Sequence, residues 1–75
     1  MFKFKNVIID NDRLSVDCLI NYKESESYHI ELDAKTFDLI SCPDNIPYAS
    51  KIVSVIKNKY LNEGTLPREF LYATH

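Results

Sequence analysis

A chain of 75 residues, 45% hydrophobic and 27% charged, fits one small folded domain spanning 1–75 and excludes a disordered one. A net charge of −2 gives no general attraction to nucleic acid or anionic membrane. No apolar run reaches the ~18 residues of a membrane span. Two cysteines are too few for a secreted disulfide scaffold, and the start, MFKFKNVII, lacks a secretory apolar core and cleavage site, so a cytoplasmic location is expected.

Phe2, Phe4 and Ile8 alternate with Lys3, Lys5 and Val7. Successive strand side chains point to opposite faces, so this alternation predicts a first strand over 2–9. Asp10, Asn11 and Asp12 supply turn chemistry. Leu14, Val16, Cys18, Ile20 and Tyr22 then alternate with Ser15, Asp17, Leu19 and Asn21, predicting a second strand. A three-residue loop would set Phe4 opposite Cys18, Phe2 opposite Ile20 and Ile8 opposite Leu14, with Lys5 across from Asp17. A two-residue loop would set Phe4 against Leu19 and Lys5 beside Cys18. One slip turns every side chain over, so the apolar match favours the longer loop.

After the polar stretch 23–27, Tyr28, Ile30, Leu32 and Ala34 alternate with His29, Glu31 and Asp33, predicting a third strand. That loop sets Tyr22 opposite Tyr28, Ile20 opposite Ile30 and Cys18 opposite Leu32. Residues 33–36 read as a tight turn, and 37–42 as a weaker fourth strand in which Ile40 breaks the alternation. Over 48–62 the period becomes helical, with Ala49, Ile52, Val53, Ile56 and Tyr60 on one side. Gly64, the only glycine, stands where a helix C-cap needs a left-handed residue. The tail holds Leu66, Phe70, Leu71 and Tyr72 and reads as either a short second helix or an extended segment along a sheet edge. The expected fold is α+β: a four-stranded antiparallel meander with one C-terminal helix packed on one face.

One helix leaves the other face of the sheet open. On this register it gathers Asp17, Glu31, Asp33 and Asp38, with Asp17 opposite Asp33 and Glu31 near Asp38; Leu19 and Ile40 add apolar area. Like charges across strands cost stability. A solvated surface tolerates that cost, and so does a face matched to a basic partner. Asp17, Leu19, Glu31, Asp33, Asp38 and Ile40 are therefore the candidate interaction residues. The expected partner, an unidentified protein or a second copy of the chain, would meet this face and/or the C-terminal tail.

Other chemistries find less support. Cys18, His29, Cys42 and His75 are scattered, and no HxxxH or CxxC spacing occurs, so no metal or other cofactor is expected. Cys18 reads as a small buried hydrophobe. A Cys42–His29 nucleophile pair is the only enzymatic arrangement to consider. It lacks an oxyanion-binding glycine turn, and a non-enzymatic protein is expected. Phe2, Phe4, Tyr22, Tyr28 and Phe37 have core parity, and Lys51, Lys57 and Lys59 diverge at 100° per residue, so a nucleic-acid surface is disfavoured. The alternative of a nucleic-acid-associated protein would use Lys3, Lys5, Lys51, Lys57 and Arg68.

Overall fold

The computed structural model describes residues 1–73. In chain order the elements are β1 (Phe2–Asp10), β2 (Arg13–Ile20), a single 3-10 turn (Glu24–Glu26), β3 (Ser27–Asp33), β4 (Leu39–Ser41), α1 (Ala49–Glu63) and β5 (Phe70–Tyr72). The strands form one antiparallel sheet in the order β4-β3-β2-β1-β5. The first four make the expected meander. The tail supplies a fifth strand beside β1 and takes the extended option. Phe70 stacks on Phe4 with ring centroids 4.7 Å apart, and Tyr72 stacks on Phe2 at 6.1 Å.

The core lies between the sheet and α1. Phe2, Phe4, Leu14, Val16, Cys18, Ile20, Ile30 and Leu32 point inward as their parity requires, and Ile52, Val55 and Ile56 of α1 close over them. Gly64 takes φ 75° and donates to the Tyr60 carbonyl at 2.7 Å, the left-handed cap expected of it. The chain reaches the helix through Phe37, itself left-handed at φ 64° and buried against Tyr60 with centroids 5.4 Å apart. A bulky residue resists that backbone region, so burial of the ring must outweigh the strain. Among the described residues no helix is long and apolar enough to cross a membrane.

The β1–β2 loop corrects the expected register in an instructive way. The loop has two residues, Asn11 and Asp12, between the paired Asp10 and Arg13. Yet Phe2 still stands opposite Ile20, Phe4 opposite Cys18 and Lys5 opposite Asp17. A bulge between Lys5 and Ile8 absorbs the difference. Asn6 adopts φ 55° there, which asparagine tolerates better than most side chains. Beyond the bulge the faces exchange: Val7 is buried and Ile8 is exposed, the reverse of the uninterrupted alternation.

β2 and β3 differ from expectation by four residues. Cys18 pairs with Tyr28 rather than Leu32, and Val16 with Ile30. The chain turns immediately after Ile20, with Asn21 at φ 53° and Tyr22 at φ 64°, closed by Lys23 N–H to the Ile20 carbonyl at 3.1 Å. Tyr22 therefore leaves the strand and the core. A shift of four is even, so every side chain keeps its face while every cross-strand partner changes.

Candidate interaction face

The new register replaces like-charge pairs by complementary ones. Asp17 stands opposite His29, Glu31 opposite Ser15, and Asp33 opposite Arg13. Across β1, β2 and β3 this builds one hydrogen-bonded array on the outer face. Asn6 Nδ2 donates to Asp17 Oδ2 at 2.8 Å, and His29 Nδ1 meets Asp17 Oδ1 at 2.7 Å. The other imidazole nitrogen lies 3.5 Å from Glu31, whose second oxygen accepts from Arg13 at 3.0 Å. The Asp17 hydrogen bond, opposed by partial burial and reinforced by Glu31, raises the His29 pKa above its ordinary value. Burial pushes the Asp17 carboxyl up, but hydrogen bonds from Asn6 and His29 outweigh it and the net shift is downward.

The remaining acids serve the β3–β4 turn. Asp33 Oδ1 accepts from the backbone N–H groups of Thr36 at 3.0 Å and Lys35 at 2.7 Å, which hold its carboxyl below the usual range. Asp38 accepts from the Thr36 hydroxyl at 3.0 Å, and its carbonyl from Asp33 N–H at 2.8 Å. The expected opposition of Asp17 with Asp33 does not form, nor that of Glu31 with Asp38; Glu31 faces Ser41 on β4. The four carboxylates are thus engaged by this chain's own groups.

Leu19 is a second correction. It has outer parity and was expected exposed, yet it is 0% exposed and stands apart from the helix-side core. It pairs with Lys3 on one side and Ser27 on the other. The 3-10 turn contacts β2, and its Glu24 pairs at 3.0 Å with Lys5, a residue of the same outer face, which places the turn on the side where Leu19 projects. A residue sealed in this way cannot contact a partner, and Leu19 leaves the candidate set.

Ile40 stays in it. A bulge between Glu31 and Leu32 in the β3–β4 ladder frees Ile40, which is 45% exposed. Together with Ile8, 59% exposed, it lines an open cleft of about 570 Å³ bordered by Asp10, Arg13, Ser15 and Asp33. Ile8 escaped the sequence reading because its alternation put it inside. The available signal was Asn6, a poor strand residue in the middle of an apolar run, whose tolerance of positive φ marks a bulge.

Burial raises the Cys18 thiol to about 12, so it is an inert core atom at neutral pH. Cys42 packs against the helix-side core, whereas His29 is engaged on the outer face. Among the described residues no group of three or more potential ligands converges on a metal-sized site, and His75 lies outside the described residues. No protein-family model, curated protein or solved structure matches the chain.

Proposed function

We propose that this chain is a small non-enzymatic protein–protein interaction module that meets its partner through the outer face of the sheet at the β1–β2 hairpin. The supporting observation is the Ile8–Ile40 cleft: two half-exposed isoleucines on one surface, with Asp10, Arg13 and Asp33 at its rim. An apolar centre within a polar rim is the anatomy of a protein interface. The reading moves the contact from the carboxylates toward Ile8 and Ile40, because Asp17, Glu31, Asp33 and Asp38 already have intramolecular partners. The nucleic-acid alternative draws less support, since Lys3 and Lys5 each lie beside a carboxylate that would repel phosphate, Glu69 at 3.3 Å and Glu24 at 3.0 Å.

The test compares capture from native lysate by the wild type and by an Ile8→Arg, Ile40→Arg double variant, with sedimentation of both to detect self-association. Both positions are exposed, so the fold should persist by circular dichroism. The variant should lose a specific partner, or the dimer, that the wild type retains. Identical capture and identical mass for the two proteins would remove this surface from consideration.

A further inference from the structure

We propose that the groove between α1 and β5 receives an extended acidic segment of a partner protein, added to the sheet as a further strand along β5. This rests on the interaction-module reading but uses a different surface. Among the described residues β5 is the edge strand of the sheet on that side. The Met1 carbonyl accepts from Asn21 N–H, just past β2, at 2.7 Å. Strand groups alternate, so the backbones of Phe2 and Phe4 turn to β5, their partners Tyr72 and Phe70 turn back, and Leu71 N–H and C=O face outward. An edge of this kind is a template for strand addition.

The groove beside that edge has a volume of about 190 Å³ and is lined from α1 by Lys51, Ser54, Val55, Asn58, Lys59 and Asn62. Among the described residues no carboxylate lines it. Lys51 Nζ sits 5.3 Å from the Tyr72 ring centroid and Lys59 Nζ 5.5 Å from that of Phe70, so the aromatic faces station one ammonium near each end of β5. The eight-residue separation of the two lysines does not scatter them, because both lie on the flank of α1 above β5. Lys59 also pairs with Glu63 one turn on, a surface contact weak enough to exchange for an incoming carboxylate. Lys51 makes no ion pair among the described residues.

The geometry sets a spacing. Eight residues of helix cover about 12 Å. Four residues of strand cover about 13 Å. The segment that fits therefore carries acidic side chains four positions apart, both on the helix-facing side, with a small polar side chain between them opposite Ser54 and Asn58.

The test uses the full chain and a capped, dye-labelled peptide in which valine alternates with Glu, Thr and Glu. Fluorescence anisotropy should give saturable binding, and the Leu71 amide should exchange with solvent more slowly in the complex. Lys51→Gln with Lys59→Gln should weaken binding about tenfold or more, as should Gln in place of both peptide glutamates. N-methylation of the peptide N–H groups that face β5 should abolish it. Equal affinity for the lysine-containing counterpart, or no binding of the acidic peptide, would overturn the proposal. So would binding, through the same lysines, of a single-stranded oligonucleotide alone. Loss of peptide binding with capture through Ile8 and Ile40 preserved would end this inference and leave the module reading standing.

Discussion

The two faces of this sheet obey different rules. On the helix side, what matters is which residues point inward, and that depends on parity alone. Leu14, Val16, Cys18, Ile30 and Leu32 are buried in the observed register and would be buried in one displaced by two or four residues. On the outer side, what matters is which residue meets which, and a displacement of four changes every pair. Asp17 opposite Asp33 would repel; Asp17 opposite His29 attracts. Core burial therefore confines the register to the even choices, and outer-face electrostatics and turn geometry select among them.

Leu19 is where this division is most open to attack, because it is an outer-face residue buried like a core residue. If the 3-10 turn seals it, Leu19→Ala should cost about 2–4 kcal/mol, the cost of a large-to-small change at a buried site. The measurement is the chemical-denaturation midpoint at constant slope. A loss below about 0.5 kcal/mol, the range of ordinary surface substitutions, would mean that the turn does not close over this face. Lys5→Met should show a smaller loss with the same sign, since an exposed ion pair such as Lys5–Glu24 contributes at most about 1 kcal/mol.

The bulge at Asn6 supplies a second, smaller test, because it makes two adjacent residues exchange faces. Val7→Ala should destabilise by about 1–2 kcal/mol, for lost methyl burial. Ile8→Ala should stay within about 0.5 kcal/mol, although isoleucine is the larger side chain. An uninterrupted strand predicts the opposite ranking, so the order of the two values decides whether the bulge forms in solution.

These residues also show what was legible in the sequence. The helix, its glycine cap, the four-strand meander and the inward set apart from Ile8 and Tyr22 were readable because 3.6-residue and two-residue periods repeat over many positions. The bulge and the β2–β3 register were not, because each depends on one or two residues entering the left-handed region: Asn6, and Asn21 with Tyr22. Asparagine at both places was the available sign, but tyrosine at the second turn position obscured it, since that site favours asparagine or glycine. The expectation of an acidic face rests in part on the same register. Displacing the register parts Asp17 from His29 and Asp33 from Arg13, whereas the contacts of Asp33 and Asp38 inside the β3–β4 turn are independent of it.

The smallest expected effect concerns the Asp17–His29 pair, and its pH dependence carries a definite sign. The folded pKa of His29 lies above its ordinary 6.5, so the stability it contributes is fully present below that value and fades as pH rises through the folded pKa. The folded pKa of Asp17 is depressed, so its contribution is present above the ordinary carboxylate value of 3.8 and fades as pH falls through the folded pKa. The pair is therefore strongest between these limits, on the acidic side of neutrality. His29 is 58% exposed, and solvent screening holds the pair to about 0.2–1 kcal/mol. The difference in unfolding free energy between wild type and His29→Gln should be largest near pH 5–6 and shrink toward pH 9. It should also shrink in ~1 M salt. An Asp17→Asn, His29→Gln double-mutant cycle isolates the coupling from other changes in either residue. A coupling energy flat from acid to alkaline pH would mean that the ion pair does not help select this register, leaving that task to the Asn21–Tyr22 turn.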